Sequence, residues 1–319
     1  MIKPIFIISL PRSGSTLLQR IFATSSDVAT CSEPWILLGD IEFVDGSVDL
    51  YSEYDMKLCR IGRSNFIAGV DEEKRKCLLR KYYSEYYSLY DGAKDKNFFL
   101  DKTPRYHLIS DEIESVFGAD AVIYLIRHPV SVINSIIDSF GRGKWVVPRY
   151  NIDIHRGLES LSRKTNNKNF FRYEDLVVDA EGCVKKICEI WGVDFSGIDL
   201  DRVGNISLPG LGDKTGIKKY SGINSGSRRD WSLVTKTNFR KWWVRRYVSK
   251  IGERKFSNLG YDYCETIESL RFHYKFNVFD EVIDVAWHLY GVFSAWIDLR
   301  IIKRKFSRYI KYKYAGSLR

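Results

Sequence analysis

The amino-acid sequence predicts an α/β fold, a three-layer arrangement around a mostly parallel central sheet, and three observations carry that expectation. The apolar run Pro4-Ile5-Phe6-Ile7-Ile8-Ser9 is followed at once by a tight turn and then by apolar residues at helical spacing. The same order recurs when the apolar run Ala121–Ile126 gives way, after His128-Pro129, to a helical pattern over Val130–Phe140. Helical stretches at Ser110–Phe117 and Ala180–Trp191 lie between or after the apolar runs, and such crossovers are what parallel strand pairing needs.

Taken in order, Pro4–Ser9 lacks the polar alternation of a half-exposed strand and reads as a strand buried on both faces. In the helix expected over Ser15–Ala23, Leu17, Leu18, Ile21 and Phe22 form the apolar stripe. From Leu50 to Asp91 the text is rich in Tyr and charge, with helical stretches and no strand rhythm, which predicts an inserted helical segment beside the sheet. Asn97–Leu100 and Asn169–Arg172 are two further short strands, and strand order is not readable. In Ala180–Trp191 the residues Cys183, Ile187, Cys188 and Trp191 share one face and are expected in the core. Beyond Tyr263 a helical pattern runs from about Ser269 to Tyr314, so the expected organisation is a domain over residues 1–264 and a C-terminal helical extension over 265–319.

Of the 319 residues 45% are hydrophobic and 28% charged, the balance of a globular protein with a sizeable core. The net charge of +10 suits an anionic ligand, a nucleic acid or an acidic membrane face. Six scattered cysteines without a CxxC pair argue against a zinc cluster or a disulfide scaffold and point to a reducing compartment. Pro4–Leu10 is too short, and too soon interrupted by Pro11 and Arg12, for a signal peptide, so a cytoplasmic setting is expected. The longest C-terminal run free of Asp, Glu, Lys and Arg is the 13 residues between Asp284 and Asp298. A membrane span needs roughly 20.

The turn Ser9-Leu10-Pro11-Arg12-Ser13-Gly14-Ser15-Thr16-Leu17-Leu18 joins the first strand to the first helix, so main-chain N–H groups and the helix dipole would face a bound anion. Compared with the nucleotide loop GxxxxGK[ST], Ser9 replaces the first Gly and Ser15 replaces the Lys, which disfavours ATP or GTP chemistry. PRSGSTLL after an apolar strand instead resembles the 5'-phosphosulfate loop of the sulfotransferase family, in the branch with Arg in the loop. The resemblance implies 3'-phosphoadenosine 5'-phosphosulfate (PAPS) as sulfuryl donor and PAP as product, held by Arg12, Ser13, Gly14, Ser15, Thr16 and Leu17.

Further stretches extend the resemblance over roughly Pro4–Tyr263. Arg127 at the end of the second long apolar run, with Ser135 eight residues on, is similar to the family's 3'-phosphate element, and the guanidinium fork suits phosphate. Tyr173-Glu174-Asp175-Leu176 resembles the stretch whose Tyr lies by the adenine; Glu174 and Asp175 are expected only as charges at a helix start. Ser225-Gly226-Ser227-Arg228-Arg229-Asp230-Trp231 looks, more loosely, like the loop that closes over the nucleotide, with Arg228 or Arg229 meeting the 3'-phosphate.

Sulfuryl transfer needs a base for the acceptor proton and cations for the charge developing on oxygen. Glu33, in Thr30-Cys31-Ser32-Glu33-Pro34-Trp35 soon after the first helix, is the expected base. Lys102 in Asp101-Lys102-Thr103-Pro104-Arg105-Tyr106, a stretch resembling a family element, is expected at the bridging oxygen. Where the cytosolic small-molecule branch has its catalytic His two residues after a Lys, this sequence has Pro104, and His107 is expected to face elsewhere. Arg105 is a candidate for ligand binding. No metal constellation is visible, and none is expected to be required.

A carbohydrate or glycolipid hydroxyl is the expected acceptor. A nucleotide or sugar kinase and a basic nucleotide- or nucleic-acid-binding module are the alternatives; the first lacks its loop lysine and the second shows no recognition motif. Residues 300–319 hold eight Lys or Arg and no acid after a stretch rich in Trp and Phe, the composition of a membrane-surface helix. The plainer expectation packs the helix's aromatics on the domain and leaves a solvated basic end.

Overall fold

A computed structural model describes residues 1–39, 56–208, 230–272 and 277–297. Five strands, β1 (Lys3–Ser9), β2 (Val28–Thr30), β3 (Phe98–Asp101), β4 (Val122–Ile126) and β5 (Phe170–Arg172), form one sheet in the order β2-β3-β1-β4-β5. Every described pairing is parallel, with Phe6 beside Asp101 on one side of β1 and beside Val122 on the other. β2 is a strand that the sequence reading did not foresee. At three residues it is too short to show a pattern, and its pairing with β3 defines it.

The pleat explains the double burial of the central strands. On one face Ile5, Ile7, Ile123 and Leu125 pack under α1 (Ser15–Phe22) and the later α9 (Ala180–Trp191), together with Cys183, Ile187, Cys188 and Trp191. On the other, Phe6, Ile8, Val122 and Tyr124 share a core with Tyr83, Tyr87, Ile113, Val116, Val130 and Ile133 from helices on that side. Burying each such Ile, Leu or Phe contributes about 1.5–3 kcal/mol, so both helical layers are held by the same few strands.

The helix α2 (Ile36–Gly39) is followed by α3 (Met56–Ile67) and α4 (Glu72–Ser88), which fall within the expected helical insert. α4 starts at Asp71, whose side chain accepts from the Lys74 N–H, and it turns Tyr83 and Tyr87 into the core. α5 (Ser110–Phe117) crosses to β4, and α6 (Pro129–Ser139) leaves β4 with Pro in its first turn. A π-helical turn over Ile152–Gly157 leads into α7 (Leu158–Ser162), and β5 runs directly into α8 (Tyr173–Val178) and then α9.

The remaining helices are α10 (Asn238–Ile251), α11 (Glu253–Asn258), α12 (Tyr263–Ser269) and α13 (Val278–Trp296). The long C-terminal helical pattern is therefore interrupted: α12 ends at Ser269, before α13 begins, and residues 298–319 lie outside the described residues. α13 docks on the domain through its polar side, and its aromatics Phe279, Tyr290, Phe293 and Trp296 stand exposed, contrary to the packing expected of them. Trp287 is the exception, half-buried against the core.

Candidate active site

All five strands point their carboxyl ends at one edge of the sheet, and each delivers one residue singled out from the sequence. Arg12 follows β1, Glu33 follows β2, Lys102 follows β3, Arg127 follows β4 and Tyr173 follows β5. Helix α1 covers one face and α5 and α6 cover the other, so the crevice at the end of β1 is where such sheets bind ligands.

The loop after β1 makes an anion cradle. Gly14 caps α1 with φ 86°, and no side chain caps the helix, so the first turn's donors face the loop's mouth. A Cβ at Gly14 would lie 2.2 Å from Cδ2 of Tyr173; the absence of one lets the loop lie against that ring. The Ser13 hydroxyl is buried with no hydrogen-bond partner in the protein. An orphaned hydroxyl in an uncapped helix mouth fits an anionic oxygen, because either isolation or loss of that partner is costly. Ser15 is buried, and Thr16 and Leu17 are half-buried behind it.

Two guanidinium groups close the cradle. Arg12 Nε donates to Ser135 Oγ at 3.1 Å from α6, and its guanidinium lies over the Phe140 ring. Arg127 donates from Nη1 to the Arg12 carbonyl at 3.2 Å and stacks on Tyr173 at 4.7 Å. Arg12, Gly14, Arg127, Ser135 and Tyr173 thus form one connected group. Arg228 and Arg229 lie outside the described residues. The chain beyond them is anchored on the same helix, where Trp231 Nε1 donates to Ser131 Oγ and the Leu233 and Val234 N–H groups donate to Asn134 Oδ1.

The second group is an acid and a base. Lys102 Nζ lies 3.2 Å from Glu33 Oε1, with the lysine 3% exposed and the glutamate 17%. The partner of Lys102 is therefore Glu33 rather than its neighbour Asp101. Asp101 is instead wholly buried and accepts from the hydroxyls of Tyr87 (2.7 Å), Tyr106 (2.7 Å) and Thr103 (2.9 Å). Burial pushes its carboxyl up to about 6 against the lowering effect of those hydrogen bonds. Thr103 and Tyr106 also accept the Trp35 and Leu37 N–H groups, which fixes the Glu33 loop to the Lys102 loop. Gln19 of α1 donates to Thr30 Oγ1 and to the Cys31 carbonyl, tying the helix that starts at the cradle to the same loop.

Four residues of these loops have left-handed backbones although none is glycine: Arg12 (φ 68°), Glu33 (49°), Trp35 (56°) and Arg105 (71°). Strain of this kind gathers where side-chain placement matters more than stability.

Two expectations change in detail, and His107 faces away from the crevice as expected. Arg105 does not point free into the crevice; it makes a bidentate pair with Asp153 of the π-helical turn, at 2.9 and 3.2 Å. Glu174 is more than a charge at a helix start, since it accepts from the His128 N–H and the Tyr261 hydroxyl. His107 is buried beneath the loop, close to where a Cβ on Gly157 would also meet Leu10, and burial lowers it to about 4, so it is neutral at physiological pH. Cys31, two residues before Glu33, is pushed up to about 11, chiefly by burial, and is no thiolate nucleophile. Among the described residues no cluster of His, Cys, Asp or Glu could hold a metal ion.

Residues 4–197, from β1 to the end of the turn after α9, match the Sulfotransferase family. The chain belongs to the sulfotransferase family. That match spans the cradle, both arginines, Glu33, Lys102 and Tyr173. Among curated proteins the chain is similar to nodulation protein NoeE of Sinorhizobium fredii (strain NBRC 101917 / NGR234), at 24% identity over 92% of this chain and 73% of that protein. Among solved structures it is similar to the sulfotransferase domain of the Synechococcus PCC 7002 olefin synthase, at 23% identity over 72% of this chain and 88% of that one, with a TM-score of 0.45. Mouse sulfotransferase SULT7A1 complexed with PAP is similar at 12% identity over 81% of this chain and 87% of that one, with a TM-score of 0.46.

Proposed function

We propose that this sulfotransferase moves a sulfuryl group from PAPS to a hydroxyl or amine acceptor, with a carbohydrate or glycolipid hydroxyl as the favoured acceptor class. The observation that carries the reading is the pairing of an anion cradle with a buried Lys102 and a half-buried Glu33 at the same sheet edge. In this reading the loop over residues 12–17 binds the 5'-phosphosulfate, Arg127 and Ser135 bind the 3'-phosphate, and Tyr173 lies by the adenine. Arg228 or Arg229 joins them at the 3'-phosphate in this reading on the resemblance of the stretch Ser225–Trp231 alone.

The acceptor oxygen attacks sulfur in line, and its proton passes to the Glu33 carboxylate as the new O–S bond forms. The S–O bond to the 5'-phosphate breaks, and its electron pair stays on the phosphate oxygen of PAP. Lys102 and Arg12 stabilise the charge that grows there. Lys102 has a second task, holding Glu33 in a left-handed backbone site where its carboxylate has little freedom. The acceptor class rests on the basic composition and the many aromatic side chains. The kinase alternative has no loop lysine, as Ser15 stands in its place.

The test separates chemistry from binding. Glu33→Gln is expected to abolish sulfuryl transfer from labelled PAPS while calorimetric affinity for PAP stays near that of the parent protein. Unchanged turnover would remove Glu33 as base. Thermal stabilisation by ATP but not by PAP would remove the donor assignment.

A further inference from the structure

Helix α13 is built inside out. Its acidic residues all face the domain: Asp284 accepts Arg240 Nε and Nη2 at 2.7 and 2.6 Å with both partners buried, Glu281 accepts the Asn238 and Phe239 N–H groups at the start of α10, and Asp280 pairs with Lys236 at 3.5 Å. On the same side Trp145 Nε1 donates to His288 Nδ1 at 3.2 Å, and Gly291 packs against Val146 and Pro148. The outward side is apolar. Phe279, Val282, Leu289, Phe293 and Trp296 recur at spacings of three, four or seven along one stripe, and their exposures run from 51% at Phe293 to 86% at Trp296. A contiguous apolar stripe of this kind marks an interface rather than a solvated surface.

Charge indicates what covers it. The stripe carries no charged residue, and the helix's three acids are turned away from it. The sequence that follows, residues 300–319, holds eight Lys or Arg and no acid, with Phe306, Tyr309, Tyr312 and Tyr314 among them. Acidic lipid headgroups complement a chain of net charge +10, whereas a second copy carries the same positive charge. No helix among the described residues is long and apolar enough to cross a membrane, so α13 suits lying on a bilayer rather than spanning it.

We propose that the outer face of α13 docks this protein on an anionic lipid bilayer, with the stripe in the boundary between headgroups and acyl chains. The proposal stands apart from the assignment of donor and base. The full chain is expected to float with vesicles of phosphatidylcholine and phosphatidylglycerol and to stay in solution with vesicles of phosphatidylcholine alone. The double variant L289E/F293E is expected to lose flotation while keeping the parent melting temperature, because both side chains are exposed. Flotation that survives L289E/F293E would overturn the proposal, as would absence of flotation by the parent chain. A dimer in light scattering that L289E/F293E splits, without vesicle binding by the parent, would assign the face to a second copy instead.

Discussion

Gly14→Ala tests whether the cradle depends on close approach of main chain to a ring. The new Cβ would meet Tyr173 at 2.2 Å from Cδ2 and 2.5 Å from Cε2, separations that no real contact sustains, so the ring or the loop must move. Tyr173 is buried and carries the Arg127 guanidinium at 4.7 Å, so moving the ring also disturbs Arg127. The left-handed backbone of Gly14 adds roughly 1–2 kcal/mol for any residue with a Cβ, and loss of the stacked cation adds about 0.5–2 kcal/mol. Together these amount to about 1.5–4 kcal/mol, or a roughly tenfold to thousandfold loss in affinity for PAP by calorimetry if they fall on the bound state. The same substitution in a Tyr173→Ala background meets no ring and keeps only the backbone cost. A double-mutant cycle between the two positions should therefore show a coupling of about 0.5–2 kcal/mol, the ring-dependent part of the loss. Equal losses in both backgrounds, or parent-like binding by Gly14→Ala, would refute the argument from close approach.

Arg12→Ala and Arg127→Ala are each expected to weaken PAP binding by roughly 1–3 kcal/mol, the worth of a charge-assisted hydrogen bond, and a titration without loss would count against both. Asp284→Ala leaves the Arg240 guanidinium buried without its carboxylate and is expected to destabilise by about 3–5 kcal/mol, read as a lowered denaturation midpoint. Asp101 supplies a pH signature, since its folded value of about 6 lies above the ordinary carboxylate value of 3.8. The folded state binds more protons between those limits, so this group's contribution to stability falls as pH rises from about 4 through 6 and is flat above. The difference in melting temperature between the parent and Asp101→Asn should change across that window and not at higher pH.

Much of the fold was legible because its strands are buried on both faces. Pro4–Ser9 and Ala121–Ile126 carry enough consecutive apolar residues to stand out, and the structure has β1 over Lys3–Ser9 and β4 over Val122–Ile126. β2 escaped because three residues show no period; what makes Val28–Thr30 a strand is β3 beside it. α10 escaped because its stripe is masked by charge, with Arg240 and Lys241 buried on it and satisfied by Asp284, carbonyls and the Arg271 backbone. The C-terminal helix misled in the opposite sense. Its aromatics look like core residues by composition, yet its acids are the docking side, and their partners Lys236, Asn238, Phe239 and Arg240 across the interface reveal that. At the site, short motifs located Arg12, Glu33, Lys102, Arg127 and Tyr173. The residues that position them did not announce themselves, because Asp101, Thr103 and Tyr106 act through hydroxyl contacts between separate loops.

The left-handed backbones at Arg12, Glu33, Trp35 and Arg105 bear on how this protein can be altered. Glycine would sit in each place more comfortably, so a chain selected for ruggedness alone would drift toward it and lose the side chains now held at this edge of the sheet. Heat resistance and transfer activity therefore pull these loops in opposite directions, and hardening the molecule is best attempted away from the carboxyl edge of its sheet.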